Sequence, residues 1–204
     1  MPREEKHPKS ETESGEKELF SGIKTVTIRG RSSDLKPLLS NDKVIIYDKT
    51  LSDRLFSKGF GELVKNRLYL SLYEACLLLD EEKILVFDKN DKEITVKKLV
   101  KHAEKLNENF SVKYAVYRDL RLQRGYLTRS GLKFGCDFIV YGKSKKLGES
   151  HSKWMVHVVS EIQRMDFGEI TRAARLATSV KKRMIYAIVT ERGPVYYELG
   201  RKKM

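Results

Sequence analysis

Three side chains have types that can do chemistry together: Tyr141, His151 and Lys182. The tyrosine ends the β-branched and aromatic run Phe138-Ile139-Val140-Tyr141, which predicts a strand, and Gly142 with the polar residues after it predicts a turn. The histidine opens the next element. The lysine stands just before the apolar run at residues 184–190, which reads as another strand. Residues at strand ends can share one sheet edge. Cleaving an RNA strand without a metal needs such a set: the 2′-hydroxyl must lose a proton, the 5′-oxygen leaving group must gain one, and the phosphorane between them needs a cation. Histidine suits the acid role at neutral pH, since its unperturbed pKa is about 6.5. Tyrosine, with a reference pKa of about 10, is a base only where positive charge favours its phenolate. A lysine supplies that charge and stabilises the transition state electrostatically.

Spacing alone does not single these residues out. A strand-end tyrosine commonly covers a core, a lone histidine after a loop commonly lies on the surface, and Lys182 is one of 41 lysines and arginines. Other chemistries have less support: there is no GxxxxGKS phosphate loop, no HExxH, no GxSxG elbow and no GxGxxG. A metal nuclease would set Asp137 with Glu149 or Glu161 and carry an ExK pattern on its second strand. That strand reads VHVVSE, and Asp137 in its Gly-Cys-Asp-Phe setting reads as a structural hydrogen-bonding residue. Neither a metal nor a cofactor is expected.

The elements that must position these residues fall into two halves. Residues 1–20 are polar, and their composition predicts a disordered tail. Residues 25–28 and 43–47 read as strands joined by a polar segment at 32–41, residues 48–60 as a helix stopped by Gly59 and Gly61, and residues 68–70 as a strand. Ser71 with Glu74 forms a capping box ahead of an apolar helix. Residues 84–87 read as a strand, 88–91 as a turn, and 95–107 as an amphipathic helix with Val96, Leu99, Val100, Ala103 and Leu106 on one face. This half, residues 21–110, is predicted to be a small mixed α/β domain and offers no catalytic cluster. The rest, residues 111–204, is predicted to be a domain with a central mixed sheet and helices. Residues 111–122 suit a helix on which Arg118, Arg121 and Arg124 give a basic side. Residues 154–162 suit a strand buried on both faces, 167–180 a helix, and 184–190 with 195–199 a closing hairpin.

At 204 residues, 40% hydrophobic and 34% charged, the chain can bury a real core. Its net charge is +13. The first 18 residues hold six glutamates against four lysines and arginines, so the remainder is more basic still. Excess cation on a folded body points to a polyanion, with nucleic acid first. A lysine- and glutamate-rich thermophile surface explains high charge but not its imbalance. No apolar run approaches the roughly 20 residues that span a bilayer, and no apolar leader is seen. Cys76 and Cys136 form neither a CxxC pair nor a disulfide framework, so a reducing cytoplasm is expected.

At these residues the chain resembles the catalytic subunit of the archaeal tRNA-splicing endonuclease, from about residue 22 to 201. The resemblance rests on YRDL at 117–120, RGY at 124–126, SGLKFG at 130–135, DFIVY at 137–141, HS at 151–152, RLATSVKK at 175–182 and VYYE at 195–198, with LYLSLYEA at 68–75 in the first half. It implies a restriction-endonuclease-like second domain. It implies Tyr141 as general base, His151 as general acid and Lys182 as transition-state stabiliser. The implied products are a 2′,3′-cyclic phosphate and a 5′-hydroxyl, cut without metal from a precursor-tRNA bulge-helix-bulge. It further implies a pair of arginines clamping a bulge base, matched by Arg175 and, in looser register, Arg201. Lys143, Lys145 and Lys146 are candidates for phosphate contact or for a solvated loop. The family is tetrameric. Asp166 and Glu169 lie where it carries an acidic loop that docks into a neighbour, but here the loop is short, weakly acidic and joined by Arg164, which leaves a homotetramer and a heterotetramer with a structural paralogue both open. The contrasting reading, a non-catalytic basic RNA-binding assembly subunit, is opposed by the complete triad.

Overall fold

The computed structural model describes residues 19–20, 35–143 and 151–201. Among them are two sheets and five helices. The first sheet has the order β1-β2-β4-β3, all antiparallel, from β1 (Leu38–Ser40), β2 (Lys43–Ile46), β3 (Glu62–Val64) and β4 (Arg67–Ser71). Helix α1 (Lys49–Ser57) is capped by Asp48, whose carboxylate accepts the Leu51 N–H. The capping box opens α2 (Leu72–Asp80): Glu74 accepts from Ser71 N–H and Oγ, and its other oxygen accepts from the buried Gly61 N–H, all at 2.8 Å. One carboxylate thus fixes both the helix start and the turn before β3.

After α3 (Val96–Leu106), helix α4 (Phe110–Arg118) is the element the two sheets share. Its Phe110 and Tyr117 meet Tyr73 of α2 and Phe138 of the second sheet with ring centroids between 4.7 and 6.0 Å, so one core runs through both sheets. The second sheet has the order β5-β6-β7-β8-β9, from β5 (Tyr126–Ser130), β6 (Phe138–Lys143), β7 (Trp154–Ser160), β8 (Arg183–Thr190) and β9 (Gly193–Leu199). Only β7 and β8 are parallel, joined across α5 (Phe167–Ser179), and the sheet is mixed as expected. One face packs on α4 and the first core. The other carries a second core in which Ile139, Met155, Val159, Met184 and Tyr186 meet Ala173 and Ala177 of α5.

Several expectations need correction. Strand β1 lies inside the segment read as polar linker, because Leu38 and Leu39 pair with β2 across a two-residue turn at Asn41 and Asp42. Residues 84–87 are not a ladder strand; Phe87 alone makes isolated bridges, to Leu38 and Glu93. The helix at 111–122 ends at Arg118 and widens into a π turn (Asp119–Gln123). Its arginines do not form a basic side. Arg118 pairs with Asp80 and Glu81, Arg124 donates to Asp119 at 2.7 Å and covers the Tyr196 ring, and Arg121 is buried over Phe60 with a bond to the Lys58 carbonyl. Ile162 lies beyond the end of β7 and is 91% exposed, so the strand buried on both faces stops at Ser160. The strand expected at 25–28 and residues 1–18 of the expected tail lie outside the described residues, whereas Leu19 and Phe20, read as part of that tail, pack half-buried against the first core, with the Lys83 ammonium over the Phe20 ring.

Candidate active site

Strand directions decide what meets at the ends of the second sheet. β6 runs antiparallel to β7 and β7 parallel to β8, so the end of β6, the start of β7 and the start of β8 share one edge. Tyr141 is on β6 one residue past Val140, which pairs with Trp154, and Trp154 pairs in turn with Arg183. His151 precedes β7 and Lys182 precedes β8. All three expected residues therefore lie at the same sheet end.

Each is delivered by a definable piece of local structure. Tyr141 packs, half-buried, against the second core, on the face that carries Ile139 and Met155. The segment bearing His151 is tied down next to it: the Lys153 N–H donates to the Val140 carbonyl at 2.9 Å and the Arg183 N–H to the Lys153 carbonyl at 3.0 Å. His151 itself is exposed, while Ser152 beside it is buried. Lys182 is set by the end of α5. Its N–H bonds the Ala177 carbonyl and the Lys181 N–H the Thr178 carbonyl, a Schellman pattern with Lys181 in the left-handed region at φ 56°. The Lys182 ammonium then donates to the Ser152 carbonyl at 3.4 Å. This places a cation one residue from His151, through a backbone atom that no side-chain motif reveals.

A concavity of about 490 Å³ adjoins this end of the sheet, lined by Ile170, Thr171, Ala174 and Arg175 of α5 and by Leu199, Gly200 and Arg201 after β9. The two arginines matched from widely separated places thus face one cavity, and both are exposed. The spacing of Ile170, Thr171, Ala174 and Arg175 on one helix face is the feature of the sequence that could have pointed to it. Lys145 and Lys146 lie outside the described residues, as does the side chain of Lys143, the last residue of β6.

Asp137 takes no part. It lies at the opposite end of the sheet, where it accepts the Val158 N–H at 2.8 Å, meets Lys113 of α4 at 2.7 Å and faces His157 at 3.8 Å. Burial pushes its carboxyl up, but the bonds from His157, Lys113 and Val158 outweigh it and hold the group below the usual carboxylate range. It joins α4, β6 and β7, as the structural reading expected. Asp166, in the expected acidic loop, caps α5 by accepting the Glu169 N–H.

The fold is thus a basic two-sheet α/β protein that brings a tyrosine, a histidine and a lysine to one sheet end. The profile of the tRNA intron endonuclease catalytic C-terminal domain matches residues 110–197, and that of the N-terminal domain of the same enzymes matches residues 35–100. A relative from Methanococcus vannielii, named a tRNA-splicing endonuclease, is 41% identical over 167 residues, covering 81% of this chain and 93% of its own. One from Pyrococcus furiosus with the same name is 42% identical over 160 residues, 78% and 91% of the two chains. The chain belongs to the tRNA intron endonuclease family and is an endonuclease.

Proposed function

We propose that this enzyme cuts precursor tRNA at bulge-helix-bulge exon-intron junctions, without a metal, leaving a 2′,3′-cyclic phosphate and a 5′-hydroxyl. The observation that carries the reading is the convergence of Tyr141, His151 and Lys182 at one sheet end, with the Lys182 ammonium on the Ser152 carbonyl. Tyr141 in its phenolate form takes the proton of the 2′-hydroxyl. The 2′-oxygen attacks phosphorus, Lys182 neutralises the charge that builds on the non-bridging oxygens, and the bond from phosphorus to the 5′-oxygen breaks as His151 gives that oxygen a proton. No redox step or external nucleophile is needed.

The cavity supports the choice of substrate. Guanidinium planes stack on unpaired bases, and recognition of folded RNA favours bases splayed from the helix, so Arg175 and Arg201 facing one concavity suit a bulge nucleotide. Lys143, Lys145 and Lys146 supply further cations of the type that suits backbone phosphates. The work divides between a mixed α/β domain at 21–110 and a catalytic domain at 111–204, and the enzyme acts in the cytoplasm. Two bulges separated by a short helix require two active sites at a fixed distance, so the enzyme works as an oligomer of at least two catalytic chains. Cleavage of a bulge-helix-bulge RNA in EDTA tests the reading: a cut leaving a cyclic phosphate is expected. No cut, or a cut leaving a free 3′-hydroxyl, would overturn the mechanism.

A further inference from the structure

The sheet end that carries Tyr141, His151 and Lys182 has two faces, and Tyr141 and the arginine cavity occupy one of them. Tyr141, Leu199 and Ile170, the last two lining the cavity with Arg175 and Arg201, all pack against the core under α5. On the other face, at the same edge, Trp154 and Tyr126 pack against the first core and meet each other with ring centroids 5.4 Å apart. The ammonium of Lys153 lies 5.7 Å from the Trp154 ring. Arg183 is the register partner of Trp154 on β8 and alternates with Met184 of the second core, so it stands on the first-core face. There it makes a loose pair with Glu198 at 3.2 Å while its side chain stays 70% exposed. The two cations lie close after the proposed catalytic positions in sequence, Lys153 two residues after His151 and Arg183 one after Lys182. Their backbones are bonded directly, Arg183 N–H to Lys153 carbonyl.

Lys153 differs from other cations bordering the first core, and Arg183 from the buried one by its exposure. Lys113, Arg118 and Arg124 hold carboxylates and Arg121 is buried, whereas among the described residues Lys153 forms no ion pair. An exposed ammonium held over an indole, beside an exposed guanidinium and two partly buried aromatic rings, has the composition of a surface that takes nucleic-acid backbone. We propose that Lys153 and Arg183, on the ledge formed by Trp154 and Tyr126, bind backbone phosphates of the substrate RNA on the face of the sheet opposite the arginine cavity, so that the RNA straddles the sheet end at the scissile bond. The inference rests on the endonuclease reading above and adds to it where the strand passes after leaving the site.

The test is the salt dependence of binding to a bulge-helix-bulge RNA, measured between 50 and 300 mM potassium chloride for the full-length protein. Each lost phosphate contact lowers the slope of log affinity against log salt by about 0.7 to 0.9. Lys153→Gln should lower it by that amount, and Lys153→Gln with Arg183→Gln by about twice as much, with the kinetic loss falling on KM rather than kcat. Glu198→Gln, which removes the Arg183 ion pair and keeps the guanidinium, should leave the slope at its wild-type value. It thereby separates phosphate contact from a mere structural tie between β8 and β9. An unchanged slope in the double variant, or a slope that falls equally in Glu198→Gln, would overturn the inference. A wild-type protein that binds this RNA but fails to cut it would overturn the endonuclease mechanism and still leave the slopes to decide the ledge.

Discussion

His151 is exposed, so replacing it separates chemistry from folding. His151→Ala should lower the single-turnover cleavage rate by about 10² to 10⁴, the range expected for loss of a general acid, with RNA affinity held within a few-fold. Equal loss of binding and rate would remove it from the acid role. At this scale the sequence made the residue types legible and left their meeting place open, because that depends on strand order. Nothing in the spacing of residues 141, 151 and 182 reveals that β7 lies between β6 and β8 and runs parallel to the second of them. The Ser152 carbonyl that receives Lys182 was illegible for a different reason: every residue has a carbonyl, and only the fold selects one. The arginines of residues 118–124 misled in the opposite sense. A basic helix face looks solvated in sequence, yet carboxylates from α2 and the π turn, and a buried site over Phe60, take up all three.

Among the elements, the two ends of the second sheet do different work, and each can be perturbed alone. At the end away from the site, Asp137 holds α4, β6 and β7 together with a carboxyl kept below its usual range. Its folded pKa is depressed, so the stabilisation is fully present above the unfolded value of about 3.9 and is lost as pH falls through the lower folded value. Asp137→Asn should therefore cost about 1–3 kcal/mol in urea unfolding at pH 7, and the gap from wild type should narrow below about pH 4. A gap that is constant with pH would mean that packing, not charge, is what Asp137 supplies. At the end that carries Tyr141, His151 and Lys182, the Schellman turn after α5 places Lys181 at φ 56°, where a side chain is strained and glycine is not. Lys181→Gly should raise stability by about 0.5–1 kcal/mol, read as a higher urea midpoint, and leave Lys182 in place. A lower midpoint would mean that chain entropy outweighs the strain. The capping box and the long amphipathic helix were legible because both are local patterns. β1, the isolated bridges at Phe87 and the π turn were not, since each depends on pairing that residue types do not specify or on a widening that none signals.

For the whole molecule, the decisive feature is the edge of the second sheet. β9 closes that sheet and, among the described residues, pairs with β8 alone, and its outer residues include Val195 at 41% and Tyr197 at 53% exposure. A seven-residue edge with apolar side chains invites pairing with another strand. The proposed substrate, with two cut sites at a fixed separation, gives such pairing a purpose, and a two-fold axis through β9 would set two catalytic sheet ends apart by a distance the fold determines. The purified protein should therefore have a solution mass of at least twice the 23.7 kDa of the chain. Four times that mass marks a homotetramer, and twice marks a dimer that awaits a different partner. Tyr197→Lys puts a charge on this edge without touching the core, and should shift the mass toward the single chain while the far-ultraviolet circular dichroism stays that of the wild type. The same variant should lose cleavage of RNA with two bulges by more than it loses affinity for a single-bulge RNA. If the mass stays that of the oligomer, β9 is not the interface, and the exposed Ile162 and Phe167 at 91% and 87% become the next surface to charge.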